Sequence, residues 1–578
     1  MKKPNVVWIL TDDQGMGDLG CTGNDMVKTP HIDEFYNRCV RMSNYHVGPT
    51  CAPTRSTLVT GHFANSTGVW HTIGGRSLLR KDEWTIATAF DEGGYETGIF
   101  GKWHLGDIYP YRACDRGFKK SITLGGGGIS QIPDFWGNDY FDDTYWVDGV
   151  PQKFKGYCTD VFFEEGIKFI DQNKDKPFFC MITPNAPHGP LNVPRNYNDM
   201  YKDDTRVPAH RKRFYGMITN IDDNFGKLIN YLEENNLIEN TIVIFMTDNG
   251  TAGGFNMDKQ GNITSGYNAG LRGSKNSEYD GGHRVPFFFR YDALNLNNGI
   301  DENNITASVD LMPTLLDFCG VDKGNHTFHG ISLKPLLCNG IVTDRAVVTD
   351  SQRVPHPIKW RKSAVMRDSW RLVNGTELYD IDADRAQRND ISAEHPEVVE
   401  KLRADYDKWW ELVSPKFDEE IPISIGEHEN YLTIHDVRNA EDKGTYQQAH
   451  VREGAIAEGY FEIQVEADGK YEFKLRRWAR EVPHKIKEGI DPKHNDIEFA
   501  KDCIIESDHR YYLGGVAIDL THAHISIQGH NETKEIGDDD EYVSFILDLK
   551  QGATYLETWF SNKDIEKMGT YFVEVSKI

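Results

Sequence analysis

Four short apolar runs, each followed closely by residues able to do chemistry, limit what this chain can fold into. Val6 to Leu10 runs into Thr11-Asp12-Asp13, and Thr97 to Phe100 into Gly101-Lys102-Trp103-His104. Phe178 to Ile182 leads to Asn185-Ala186-Pro187-His188, and Ile242 to Met246 to Thr247-Asp248-Asn249-Gly250. An apolar run of about five residues bounded by turn residues reads as a buried strand. In an open α/β sheet, ligands bind beyond the carboxyl ends of such strands, so the four loops are expected to converge on one site. Between them lie helical stretches such as 219–235, where Ile221, Phe225, Leu228, Ile229 and Leu232 recur at three- and four-residue spacing. Over residues 1–340 this alternation predicts an α/β domain with a large, mostly parallel sheet flanked by helices.

The pattern then changes twice. Residues 341–417 offer short strand-like segments at 346–349, 372–373 and 377–380. A helix follows, with Val398, Val399, Leu402, Tyr406 and Trp409 on one side, as expected of a small α/β subdomain. From 418 to 578 the hydrophobic period becomes two. Phe461, Ile463 and Val465 alternate with polar residues, as do Tyr471, Phe473 and Leu475, and Asp468-Gly469 is expected to join them as a hairpin. Further strands are expected within 515–527, 542–549, 555–560 and 570–575, giving an accessory all-β, sandwich-like domain.

Charge excludes some partners. Against 64 Lys and Arg stand 89 Asp and Glu, a net charge of -25 that repels nucleic acid and anionic membrane over most of the surface. An anionic substrate must therefore meet a local cationic pocket. No apolar run approaches the roughly eighteen residues of a membrane span. Met1-Lys2-Lys3-Pro4 leads straight into the first strand-like run, without a signal-peptide apolar stretch. The chain as written is thus expected to be cytoplasmic, or periplasmic or secreted if it is a trimmed mature form. Nine scattered cysteines fit neither a disulfide framework nor a zinc cluster. The run Gly125 to Gly128 has no Lys-Ser/Thr after it, which argues against a P-loop.

Taken singly, Asp12-Asp13 and Asp248-Asn249 are ordinary turn residues. Brought together, their carboxylates would repel by about 4 kcal/mol per close pair at an effective dielectric near 20, and only a cation makes the cluster sensible. All-oxygen donors select Ca²⁺ or Mg²⁺, and a mix of carboxylates with an amide oxygen leans to Ca²⁺.

Cys51-Ala52-Pro53-Thr54-Arg55, followed by Thr60-Gly61, carries a specific resemblance. The sequence is similar to the type I, formylglycine-dependent sulfatases of the alkaline phosphatase superfamily, whose signature is Cys-x-Pro-x-Arg with a Thr-Gly shortly after. The likeness continues in order over roughly residues 4 to 412: Asp12-Asp13, Gly101 to Gly106, Pro187-His188, Asp248 to Gly250, Leu271 to Lys275, and Gly281 to Pro286. It implies that Cys51 is oxidised to Cα-formylglycine by a formylglycine-generating or anaerobic maturation enzyme, and that its hydrate is the nucleophile. It further implies metal ligation by Asp12, Asp13, position 51, Asp248 and Asn249. Arg55 would hold the position-51 hydroxyl and the metal-site carboxylates, Lys102 and Lys275 would neutralise sulfate oxygens, and His104 would take a proton when the sulfate is expelled. His188 is the candidate general acid, with Lys275 as the alternative.

Tyr111, Arg112, Arg195, His210, Arg211, Arg272, Arg353, His356 and Trp360 are weaker candidates; all but Arg272 lie in expected loops able to line a sugar pocket. The expected activity is removal of sulfate from a sulfated carbohydrate. Two alternatives are a phosphonate monoester or phosphodiester hydrolase, which usually shows His where Asn249 stands, and a catalytically silent glycan-binding protein of the same fold.

Overall fold

A computed structural model of the chain describes residues 2–259, 261, 263–439, 444–492, 502–505 and 514–578. At its centre are four parallel strands, β1 (Asn5–Thr11), β2 (Glu96–Lys102), β3 (Phe178–Thr183) and β4 (Thr241–Thr247), side by side in the order β4-β1-β3-β2. Lys120–Leu124 continues the parallel set beyond β2. Further strands extend both edges to ten in all: 144–147 and 150–153, paired antiparallel, on one side; on the other 287–290 and 40–42, each antiparallel to its inner neighbour, and 301–302, parallel to 40–42.

β1 is buried along its whole length, as a central parallel strand must be. Its side chains alternate between two cores. Val6, Trp8 and Leu10 pack with Leu58 of helix α1 (Cys51–Thr60) on one face of the sheet. Val7 and Ile9 pack on the other with Phe162 of α2 (Cys158–Asn173) and Phe225 of α3 (Ala209–Glu234). The apolar stripe expected at 219–235 is thus the buried face of a longer helix.

A four-stranded antiparallel meander, 347–350, 363–367, 370–373 and 377–380, follows. Helix α4 (Pro396–Val413) covers it through Val399, Leu402, Tyr406 and Trp409.

Beyond it lie two facing sheets. One contains 423–425, β5 (Phe461–Val465), 552–561, 522–527 and 530–535, with 568–569 beside 552–561; the other contains 430–433, 572–577, β6 (Gly469–Arg476) and 543–549. One correction emerges here. β5 and β6 do not pair as a hairpin: β5 bonds to 423–425 and 552–561, and β6 to 543–549 and 572–577. The turn at Asp468-Gly469 crosses from one sheet to the other, so Phe461, Ile463 and Val465 meet Tyr471, Phe473 and Leu475 in the core between the sheets. Period-two alternation specifies which face of a strand is buried, and two strands joined by a short turn can satisfy it by facing each other as well as by pairing.

The sandwich is not a tethered appendage. Its core takes in Leu78, Ile108, Tyr111 and Ile132 from the first domain. Tyr111 donates its hydroxyl to Pro422 O (2.6 Å), and 503–504 pairs antiparallel with 193–194. No helix among the described residues is long and apolar enough to cross a membrane.

Candidate active site

Because β1 to β4 are parallel neighbours, the residues that follow them emerge along one edge of the sheet. Register makes the alignment close: Thr11 stands opposite Thr247, and Gly101 opposite Thr183. Gly101 has φ 125°, and a Cβ there would lie 2.0 Å from Thr183 O, so only glycine lets β2 lie this close to β3.

The acidic residues meet as expected. Asp12, Asp13 and Asp248 are buried and offer carboxylate oxygens within 4.8 Å of one another. Three cations brace them. Lys102 donates to Asp12 Oδ2 (2.7 Å), and Lys275 lies 2.6 Å from Asp13 Oδ1. Arg55 donates from Nε (3.0 Å) and Nη2 (2.8 Å) to Asp248 Oδ2 and from Nη1 to Lys102 O (2.8 Å). Asn249 donates its amide to Asp13 Oδ1 (2.8 Å). Two buried oxygens are left with no hydrogen-bond partner, Asp12 Oδ1 and Asn249 Oδ1. Buried acceptors are rarely orphaned, and two beside a carboxylate cluster fit a hard cation with oxygen ligands.

Cys51 is the first residue of α1, whose ten residues are all buried. Its thiol is 2% exposed and close enough to Lys275 to act on that ammonium. Burial disfavours the Lys275 charge, but Asp13 and Cys51 outweigh it and raise the pKa. Burial likewise pushes Asp13 up, and Lys275, His188, Asn249 and Lys102 together hold it well below the usual carboxylate range. Asp248 is raised to about 6 by burial and by Asp12, against the pull of Arg55 and Lys102. Burial and Lys275 bring His188 down to about 4, and burial with Lys102 and His435 holds His104 well below its ordinary value.

Both histidines are tightly set. His188 Nδ1 lies 2.7 Å from Gly189 O, with Nε2 3.8 Å from Asp13 Oδ2. His104 Nε2 lies 3.0 Å from Thr72 O, and its Nδ1 is buried without a partner. Asp13 and His104 both adopt left-handed backbone, φ 66° and 62°, a strain that clusters at functional sites. The four-glycine run packs on these rings: a Cβ on Gly127 would lie 2.3 Å from His104, and one on Gly128 3.1 Å from His188 Nδ1. Gly127→Ala is therefore expected to displace His104 and lower kcat at least tenfold, with KM little changed, in steady-state kinetics. An overpacking cost of about 1–3 kcal/mol should appear in thermal unfolding.

A profile of the family described as Sulfatase matches residues 4–321. The chain belongs to the sulfatase family. The sulfatase is 24% identical over 494 residues to an N-acetylglucosamine-6-O-sulfatase of Bacteroides thetaiotaomicron, covering 68% of this chain and 83% of that one. It is 30% identical over 366 residues to an arylsulfatase of Hemicentrotus pulcherrimus, covering 58% and 62%. Among solved structures, Ps i-CgsB in complex with k-i-k-neocarrahexaose aligns at a TM-score of 0.63 and 25% identity, covering 72% of this chain and 99% of that one. Family and fold together make the protein a sulfuric ester hydrolase.

The weaker candidates scatter. Arg272 stacks on Tyr279 (3.6 Å) and donates to Gln387 O (2.8 Å), and Trp360 stacks on Tyr406 (3.6 Å), so both are engaged in packing around the small subdomain. Arg112 pairs with Asp115, and Arg195 with Asp502. Arg211 is fully buried on α3. Arg353 donates its backbone N–H to Trp70 O (3.2 Å), and nearby His356 lines a small cavity with His71 and Arg76. The sequence alone missed Thr72, which holds His104, and His435 of the sandwich, whose ring centre lies 6.4 Å from that of His104. Neither sits in a strand-loop motif that would have drawn attention to it.

Proposed function

We propose that the sulfatase removes sulfate from a sulfated carbohydrate, using a formylglycine formed from Cys51 beside a Ca²⁺ ion, with Mg²⁺ as the alternative. The observation that carries this reading is the convergence of Cys51, two histidines and three cations on an acidic cluster with two orphaned oxygens. Asp12, Asp13, Asp248 and Asn249 would hold the ion. Oxidised to formylglycine, position 51 would supply the nucleophilic oxygen, and the ion would supply charge neutralisation beside it.

Three carboxylates already face three cations, so a divalent ion gives the pocket an excess of positive charge suited to a sulfate monoester. Lys102 and Lys275 would bear on the sulfate oxygens as charge moves toward the leaving oxygen. Arg55 keeps Asp248 ionised and ties it to the end of β2. His104, neutral and with a free Nδ1, is placed to accept a proton, and Thr72 O fixes its ring. His188 is neutral in the resting site, and an anionic substrate would raise its proton affinity, fitting it to protonate the leaving oxygen. The carbohydrate class rests on relatives named for N-acetylglucosamine-6-O-sulfate hydrolysis and solved with a neocarrahexaose.

The leaving group tests the acid. His188→Ala should lower kcat about 10²- to 10⁴-fold on a sugar sulfate, whose alkoxide leaves poorly. It should lower it far less on 4-nitrophenyl sulfate, which needs no proton. If Lys275→Ala gives that selective loss and His188→Ala does not, Lys275 is the acid. The function itself is tested by ion chromatography of sulfate released from sulfated mono- and oligosaccharides, an aryl sulfate and a phosphonate ester, with protein co-expressed with a formylglycine-generating enzyme. Sulfate release from a saccharide is the expected result. Cleavage of the phosphonate ester alone would replace this reading, and silence from fully converted protein would favour a glycan-binding role.

A further inference from the structure

The loop His71 to Arg76 has two neighbours. On one side Thr72 O meets His104 of the catalytic centre (3.0 Å). On the other, the turn at Gly74 and Gly75 (φ 67° and 62°) is pressed against the sandwich. Gly74 N donates to His435 O (2.8 Å), and a Cβ on Gly75 would lie 2.7 Å from Asp436 O. Between this loop, the segment 354–356 and the sandwich residues Arg438 and Tyr460 is a cavity of about 60 Å³. That is far below the roughly 300 Å³ at which pockets begin to hold whole small molecules, and suits one small group.

Among the described residues that line the cavity, Arg76 and Arg438 are cationic and none is acidic. Arg76 is only 7% exposed, and its guanidinium lies over the Trp70 ring at 4.3 Å. Its Nε and Nη1 are buried without a hydrogen-bond partner. The nearby carboxylate, Glu462, is taken by Arg438, which donates to it from Nε and Nη2 at 3.1 Å each. Burial and the charge of Arg438 bring the Arg76 pKa down to about 9, against the opposing pull of Glu462. A buried guanidinium without a partner is rare, and its planar fork matches a sulfate or carboxylate.

We infer that Arg76 forms an anionic subsite on the seam between the catalytic domain and the sandwich, which receives a second oxyanion of the glycan, sulfate or carboxylate, beside the sugar being desulfated. This rests on the sulfatase reading above. It gives the sandwich a part in choosing substrate, because Arg438 both walls the cavity and withholds Glu462 from Arg76. His356, exposed at the rim, is within the same cavity lining.

The test is a binding measurement that needs no turnover. Calorimetric titration of the Cys51→Ala protein compares disaccharides of galactose, N-acetylgalactosamine and N-acetylglucosamine carrying one or two sulfates, and monosulfated forms with and without a uronic acid. In at least one pair the second anion should tighten binding tenfold or more, and the sulfate and uronate arms identify which oxyanion is read. Adding Arg76→Gln should erase that gain, whereas Arg76→Lys should keep part of it. Thermal unfolding checks that the variants are folded, and if Arg76→Gln is not, the partial loss in Arg76→Lys carries the test. Equal affinity within every pair, or an equal loss for both members on Arg76→Gln, overturns the inference. Sulfate release by the matured enzyme from 4-nitrophenyl sulfate reports the catalytic reading separately, so either can fail without the other.

Discussion

Cys51→Ala is expected to lower sulfate release by on the order of 10⁶-fold, the scale seen when a hydrolase loses its nucleophile outright. The fold should survive. Cys51 is a small buried side chain at the first position of α1, and Ala fits the same space with good helix propensity. Arg55, Lys102 and Lys275 keep their partners in such a variant, because none of their hydrogen bonds involves position 51. Thermal unfolding close to that of the parent, with kcat at background, would assign the loss to chemistry. Retention of even a few per cent of kcat by well-folded, homogeneous Cys51→Ala protein would remove Cys51 from the mechanism.

Asp248→Ala is expected to cost about 3–5 kcal/mol of stability, the range for removing one partner of a buried ion pair. Both partners are nearly solvent-free, at 1% exposure for Arg55 and 0% for Asp248. The loss strands two of the guanidinium's donors and the backbone N–H of Asp13, which reaches Asp248 Oδ1 at 3.3 Å. Asp248→Asn keeps an oxygen acceptor and should recover much of that stability. The proposed ion separates the two roles. Calcium at about a hundred times its dissociation constant should stabilise the parent by about 2.7 kcal/mol, visible as a rise in the unfolding midpoint that a chelator reverses. Neither Asp248 variant should show the rise. A parent midpoint that ignores both calcium and magnesium would overturn the metal assignment.

Much of this is legible in the sequence. A parallel strand fixes where its loop emerges, so four apolar runs each followed by polar residues were enough to place Asp12, Asp13, Lys102, His104, His188, Asp248 and Asn249 along one edge. Arg55 and Lys275 were singled out by the family resemblance, and the structure sets them against Asp248 and Asp13. Pairing partners in the sandwich were not legible. Alternation in β5 and β6 reports burial, while the choice between pairing and facing is made by strands about seventy to a hundred residues further on. Arg76 and His435 were hidden for a related reason: each matters through contacts with chain remote in sequence. Trp360 shows the converse, since an aromatic loop residue able to line a sugar pocket is equally suited to packing against a neighbouring ring, here Tyr406.

The burial of α1 has a consequence in time. All ten of its residues are enclosed, and β1, whose core face packs on it, is clamped between β3 and β4. The sheet cannot close over Cys51 until Thr241–Thr247 has been made, about 190 residues later in the chain. At about 5–20 residues per second of synthesis, that leaves roughly ten to forty seconds in which the thiol is accessible on the ribosome. If position 51 is oxidised as proposed, the nascent chain is where its thiol is within reach, before the sheet encloses it. Refolding finished, unmodified protein beside the maturation enzyme would place the two in a race that chain closure is built to win.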